Sequence, residues 1–183
     1  MSHHEQAVAI ETGRLRLVPL SRPQLQRYLD DPAGLEAELG LPLSRAILTA
    51  RVRGAITKKV ARMAAVDPAA HPWHTYWLAV VRDVPFGAGL LGFKGVPGEA
   101  GEVEIGYGID PAYQGQGYTT EAARALIDWA FLDPACRAVI APGTLKTNVG
   151  SNRVLHKLGM RLAAESESAN DWRVERAEWQ SSP

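Results

Sequence analysis

The sequence predicts an α/β fold in a single domain, a mixed but mostly antiparallel sheet flanked by helices, on three observations. Residues 76–109 hold three apolar stretches rich in aromatic and β-branched residues, and the first two are joined by the short turn Asp83-Val84-Pro85, which makes neighbouring strands antiparallel. The third stretch runs into an amphipathic helix followed by another apolar strand, so that strand returns parallel to the one before the helix. Finally, 183 residues at 46% apolar content fill one sizeable core, residues 1–183, and are too few to make two domains expected.

Taken in order, Leu15, Leu17 and Leu20 alternate at first with Arg14 and Arg16, a leading strand ending near Pro19. Residues 22–66 carry few β-branched runs and many Leu, Ala, Glu, Arg and Lys, with breaks at Asp31-Pro32-Ala33-Gly34 and Gly40-Leu41-Pro42, so two or three helices are expected, the last over about residues 49–65. Strands follow at residues 76–81 and 86–93, the second softened by Gly87, Gly89 and Gly92. In the strand at residues 102–109, Glu102 and Glu104 share one face while Val103 and Ile105 share the other.

Ala122, Ala123, Leu126, Ile127, Ala130 and Phe131 form the buried stripe of the next helix, with Thr119 or Thr120 as its cap and Asp133-Pro134 as its stop. Residues 137–141 give the parallel strand. Asn148 and Ser151 precede a short helix with Val154, Leu155 and Leu158 inward and Gly159 as terminator. A closing hairpin is expected to turn through Ser168-Ala169-Asn170-Asp171.

Twenty Lys and Arg balance twenty Asp and Glu, so no global field draws the chain to nucleic acid or to an anionic membrane. A single cysteine, Cys136, precludes an intramolecular disulfide framework, and it packs as a small apolar side chain rather than carrying an acyl group. Met1-Ser2-His3-His4-Glu5-Gln6 lacks a basic region followed by an apolar stretch, and no apolar run approaches membrane-spanning length. A reducing cytoplasm is the expected compartment; zero net charge leaves a homodimer open. His71 and His74 lack the further ligands that a metal site requires, so no metal is expected.

The most informative stretch is Ile109-Asp110-Pro111-Ala112-Tyr113-Gln114-Gly115-Gln116-Gly117-Tyr118-Thr119-Thr120-Glu121, where a strand passes through two glycines straight into a helix and Glu121 suits the positive end of the helix dipole. Successive N–H groups from Gln114 to Thr119 can converge in front of the helix N-terminus, a cradle for a phosphate or pyrophosphate; an ordinary glycine turn is the plainer alternative. Gly-x-Gly-x-x-Gly would need glycine where Thr120 stands, and no Gly-Lys-Ser/Thr follows, which disfavours the common nucleotide folds.

This order of elements resembles the GNAT superfamily of acyl-CoA-dependent N-acyltransferases, whose cofactor motif Gln/Arg-x-x-Gly-x-Gly/Ala is met at Gln114 and Gly117 but ends here in Thr119. Thr12-Gly13-Arg14-Leu15-Arg16-Leu17, Glu104-Ile105-Gly106-Tyr107 and Asn148-x-x-Ser151-Asn152 followed by Lys157-Leu158-Gly159-Met160 are similar to its RimJ/RimL-like branch, which acetylates ribosomal-protein N-termini. The resemblance implies acetyl-CoA as co-substrate, with pyrophosphate on Gln114, Gly115, Gln116, Gly117, Tyr118 and Thr119. It also implies pantetheine in a splay between the fourth and fifth strands, beside Tyr107, Ile109 and a segment near Ile140, with Asn148 close to the thiol. Gly106 and Gly108 fit a β-bulge there.

Acyl transfer from a thioester to an amine needs a base, an oxyanion donor and an acid for the leaving thiolate. Glu104 is the candidate base, with Glu102 as fallback and an exposed strand-face acid as the alternative for either. A backbone N–H near Tyr107 or Gly108 is the oxyanion donor that the resemblance implies. Many members of the superfamily place a tyrosine on the short last helix as acid, but Leu155 stands there, which leaves Ser151, or a helix cap with no chemical role. Tyr113 and Tyr118 are weaker candidates for the acid, while Lys146, Arg153 and Lys157 are candidate phosphate partners. Trp73, Trp77, Trp172 and Trp179 serve either the acceptor pocket or the core. The resulting expectation is an acetyl-CoA-dependent N-acetyltransferase acting on a primary amine in a ternary complex; the alternative is an acyl-CoA-binding sensor of the same fold without turnover.

Overall fold

Strands β3 (Trp77–Val81), β4 (Phe86–Phe93) and β5 (Glu102–Ile109) form the antiparallel meander that the alternation predicts. The computed structural model describes residues 9–179, so the reading of the first six residues lies outside it. Before the meander come β1 (Ile10–Glu11), β2 (Leu15–Pro19), α1 (Arg22–Asp30), α2 (Pro32–Leu39), α3 (Ala50–Met63) and the single turn α4 (His71–His74). After it come α5 (Tyr118–Phe131), β6 (Ala138–Leu145), α6 (Val149–Lys157), β7 (Arg161–Glu165) and β8 (Ala169–Glu175). The sheet has eight strands in the order β1-β2-β3-β4-β5-β6-β8-β7. Among the strands of the described residues, only β5 and β6 pair parallel, with α5 as their crossover.

Period-two alternation splits the core into two layers. Trp77, Ala79 and Val81 of β3 face α5 with Leu126 and Ile127, while Leu78 and Val80 face α1 to α3 with Leu25, Tyr28 and Ile56. Trp73 and Trp77 stack around Trp129, at ring-centroid distances of 4.6 and 5.2 Å, so these two predicted pocket candidates belong to the core.

The splay is present. Pairing of β5 with β6 covers Glu102↔Ala138, Val103↔Val139 and Glu104↔Ile140; beyond it β5 pairs with β4 and β6 with β8. With β1 counted, these are the fifth and sixth strands.

Four expectations are corrected. Gly106 and Gly108 hold regular register against Gly92 and Leu90; the bulge lies in β4, where Ala88 is the extra residue between Gly87 and Gly89. The cap of α5 is Gly117 at φ +83°, not Thr119 or Thr120, which lie inside the helix. Ser151 likewise lies inside α6, whose cap is Asn148. The last hairpin turns through residues 166–168, because Ala169 and Asn170 are already paired with Leu145 and Thr144. Among the described residues no helix is long and apolar enough to cross a membrane.

Candidate active site

Helix α5 begins without a side-chain cap, whereas Ser21, Asp31, Thr49 and Asn148 each cap their helices by accepting from a backbone N–H. The first N–H groups of a helix have no partner within it, so those of Tyr118, Thr119 and Thr120 point out of the N-terminus. Gly115 and Gly117 hold φ of +73° and +83°, which turns the preceding amides toward the same place. Gln114 does not join them, because its N–H donates to the Pro111 carbonyl at 3.3 Å. Of the amides predicted to converge, that of Gln114 is thus already engaged. A Cβ on Gly117 would come within 3.3 Å of Arg14 Nη2.

A tether between distant segments fixes this turn, and sequence reasoning missed it. Glu121, in the first turn of α5, accepts from Thr12 Oγ1 at 2.6 Å, Arg14 N at 2.8 Å and Arg14 Nε at 2.7 Å. Arg14 Nη1 donates to the Gln116 carbonyl at 2.9 Å, and the guanidinium lies 4.4 Å from the Tyr118 ring centroid. Burial pushes the Glu121 carboxyl up, but the bonds from Thr12 and Arg14 and the Arg14 charge outweigh it and hold the pKa below the ordinary carboxylate range. Each residue stood in a quoted motif, yet nothing local signals the contact.

The splay opens onto a cleft of about 810 Å³ between α3, the ends of β5 and β6, and α6. Glu104 sits at the last β5–β6 pair and lines this cleft, ion-paired with the exposed Lys94. Glu102 does not line it; its carboxylate is held by Arg173, which also donates to Glu175. Gly106 and Gly108 share the face of Glu104, and a Cβ on either would meet nothing within 4 Å, so their missing side chains keep the space open.

Backbone direction decides which amides face the splay. Lys94 N donates to Glu104 O and Asp110 N to Ala88 O, so the even-numbered residues of β5 pair with β4 and the odd-numbered ones face the other way. The N–H groups of Tyr107 and Ile109 accordingly face the gap. That of Gly108 faces β4, which leaves Tyr107 alone of the two candidate oxyanion donors.

Ser151 and Asn148 line the same cleft. Asn148 Oδ1 accepts from Ser151 N at 3.1 Å, so the capping role falls to Asn148 and the Ser151 side chain is left out of it. The Tyr107 hydroxyl, absent from the sequence candidates as an acid, donates to the Ser151 carbonyl at 3.4 Å. Burial raises its pKa to about 12, against a smaller opposing effect of hydrogen bonding to Ser151. Leu155 is buried at the cleft wall. Since Tyr107 belongs to the α5 layer and Glu104 to the α3 face, the splay is an aperture with a carboxylate on one side and a phenol on the other, and Ser151 lines the cleft it opens onto.

Other predicted contributors lie elsewhere. Trp172 donates to Asn152 and Trp179 to Asp128, and neither lines the cleft. Lys146 pairs with Glu165 at 3.6 Å. Tyr113 stacks on Phe86. Cys136 is buried, and desolvation together with Asp133 raises its thiol pKa to about 11, which disfavours a thiolate nucleophile. His71 Nε2 is hydrogen-bonded to the Met63 carbonyl at 2.8 Å.

The sequence is 34% identical over 96 residues to the uncharacterized N-acetyltransferase YjdG of Bacillus subtilis, a match covering 52% of this chain and 56% of that protein, so the chain spans about half the length of this curated relative. Its fold is similar to ribosomal-protein-S5-alanine acetyltransferase from Vibrio fischeri, with a TM-score of 0.64 at 18% identity over 94% of this chain and 99% of that one. It is also similar to Mycobacterium smegmatis RimJ in complex with CoA-disulfide, with a TM-score of 0.59 at 19% identity over 90% of this chain and 83% of that one. The acetyltransferase (GNAT) domain model matches residues 14–161, and with the glycine turn and the splay already in place, this chain belongs to the GNAT acetyltransferase family.

Proposed function

We propose that this protein is an acetyl-CoA-dependent N-acetyltransferase in which a primary amine attacks the acetyl group directly within a ternary complex. The observation that carries the proposal is the meeting of two features at one place: an uncapped helix N-terminus behind two positive-φ glycines, and a sheet that parts immediately before it. The first suits a pyrophosphate, and the second offers the Tyr107 carbonyl and the Ile109 N–H to an extended amide-bearing chain in the manner of an added strand. A narrow crevice lined by Tyr107, Gly108, Ile109, Tyr118 and Thr119 joins them. CoA supplies a thioester-activated acetyl group.

Gly115, Gln116, Gly117, Tyr118 and Thr119 hold the diphosphate through their amides, and Arg14 and Glu121 keep that turn in shape. On the α3 side Glu104 takes the proton of the incoming ammonium, which displaces Lys94 from the carboxylate. The Tyr107 N–H donates to the carbonyl oxygen as negative charge develops on it. As the C–S bond breaks, Ser151 gives its hydroxyl proton to the departing sulfur and takes up the second proton shed by the attacking nitrogen, with the Tyr107 hydroxyl beside it as a second donor. Asn148 holds the first turn of α6, and thereby Ser151, in position.

The test is release of free thiol from acetyl-CoA with a panel of primary amines, run on wild type and Glu104→Gln. The expected result is amine-dependent release, reduced about a hundredfold or more in the variant at neutral pH and partly restored as rising pH deprotonates the free amine. Equal turnover of the two proteins across pH 6 to 9 removes Glu104 from the mechanism. CoA binding without amine-dependent release supports the sensor alternative instead.

A further inference from the structure

Helix α3 has the sequence ARVRGAITKKVARM: five cations and no acid. Arg53 turns away, its guanidinium donating to the Leu48 and Leu29 carbonyls. Arg51, Lys58, Lys59 and Arg62 instead line the cleft together with Lys94, whose carbonyl accepts from the Arg62 guanidinium. Glu104 is the sole acid among the lining residues, and Lys94 already neutralises it. Among the described residues no carboxylate lies within ion-pair distance of the other four cations.

A chain of zero net charge thus places a concentrated positive field in one concave space, where low-dielectric walls strengthen it. The glycine turn does not account for it, because no residue from 114 to 119 lines this cleft. Lys59 is fixed in the cleft wall: its Nζ donates to the carbonyls of His74, Thr75 and Phe93 at 3.1, 3.1 and 2.6 Å and stands 4.5 Å from the Tyr76 ring centroid. Among the described residues no carboxylate pairs with it.

We infer that the acceptor is a primary amine whose own scaffold carries anionic groups, and that the cationic face of α3 selects it. This rests on the acetyltransferase reading above and narrows it. A cationic wall repels protonated amines in general, so linear polyamines and aminoglycosides are poor acceptors. An acceptor bearing carboxylates or phosphates gains more from Arg51, Lys58 and Arg62 than its single ammonium loses. Once seated, that ammonium lies in a field that favours loss of its proton, as attack requires. The cations are distributed rather than convergent: from Arg51 to Arg62 the helix rises about 16 Å, the length of roughly five extended residues. Several separated monoanions fit this spacing better than one phosphate. An acidic peptide N-terminus and a small amino-dicarboxylate present the same chemistry at different length.

The experiment compares thiol release and direct binding to CoA-saturated protein for four probes: a pentapeptide with Asp or Glu at positions two to five, the same peptide with Lys there, free glutamate, and a linear polyamine. Each is run at low and high salt. The expected result is turnover and binding of the acidic probes only, weakened by salt; a preference for the peptide over glutamate assigns the longer source, and the reverse assigns the smaller. The double variant Arg51→Glu with Lys58→Glu, neither residue touching the reacting atoms, should raise KM for the acidic probe by about tenfold or more with kcat nearly unchanged. It should also retain the wild-type thermal shift on adding CoA. Equal or better use of the lysine peptide or the polyamine overturns the inference while leaving the acetyltransferase reading intact, and so does failure of both acidic probes to bind. Absence of any CoA-induced shift in wild type is the distinct failure of the parent reading.

Discussion

Replacing Glu121 by alanine tests whether a contact spanning the whole domain holds the glycine turn in shape. The carboxylate accepts three hydrogen bonds of 2.6 to 2.8 Å, and its side chain is only 21% exposed. Bonds to a charged partner contribute about 1.5–3 kcal/mol each in protected sites. The Arg14 side chain, however, is 44% exposed, so its ion pair counts for about 1 kcal/mol or less. With the Thr12 hydroxyl and the Arg14 amide added, and part of each regained through water in the variant, the loss should be about 2–4 kcal/mol at pH 7. Urea unfolding measures it.

The sign with pH follows from the carboxyl's lowered pKa: its contribution is complete above the unfolded value near 4.5 and disappears as pH falls through the lower folded value. The stability gap between wild type and variant should therefore close in acid. CoA affinity should fall as well, since Arg14 would no longer be held against Gln116 and Gly117. A loss below about 0.5 kcal/mol, or a gap that persists unchanged to pH 3, would refute the tether.

Three further outcomes are expected. CoA at a hundredfold excess over its dissociation constant should stabilise wild type by about 2.7 kcal/mol in a thermal shift, and Gly117→Val should abolish this, because a β-branched residue is disfavoured at φ +83° and would crowd Arg14. Asn148→Ala should cost about 1 kcal/mol of stability, whereas Ser151→Ala should leave stability within about 0.5 kcal/mol of wild type and lower turnover; the opposite pattern would make Ser151 structural. Burial, aided by Arg62 and Lys94, lowers the Lys59 pKa to about 7, so between there and the unfolded value near 10.5 the unfolded chain binds the extra proton. Wild-type stability should thus rise with pH across that window relative to Lys59→Met, and parallel pH profiles would contradict the lowered Lys59 pKa.

The sheet was legible because its strands are buried on definite faces: Trp77 through Val81 divide between two core layers, and the alternation records that division. The glycine turn was legible because positive φ at Gly115 and Gly117 leaves a compositional mark. The last hairpin was displaced because Ala169 and Asn170 resemble turn residues, and only their pairing with β6 makes them strand. Gly106 and Gly108 suggest a bulge, but their role here is steric, and a sequence does not distinguish a glycine that bends a strand from one that empties a cleft. Glu104 was chosen over Glu102 on motif position, and the reason they differ, the engagement of Glu102 by Arg173, is a tertiary contact. The Tyr107 hydroxyl and the Thr12–Arg14–Glu121 tether join residues far apart in the chain, so no local pattern carries them. The cationic run of α3 was visible as composition, but that it faces the cleft depends on how the helix docks.

A crystal structure of the protein with acetyl-CoA tests the central claim most directly. The account predicts the pyrophosphate on the amides of Gly115 to Thr119, the pantetheine arm in the splay bonded to the Tyr107 carbonyl and the Ile109 N–H, and the thioester carbonyl at the Tyr107 N–H with Glu104 and Ser151 close by. A pyrophosphate bound away from the glycine turn, or a pantetheine arm lying outside the gap between β5 and β6, would contradict it.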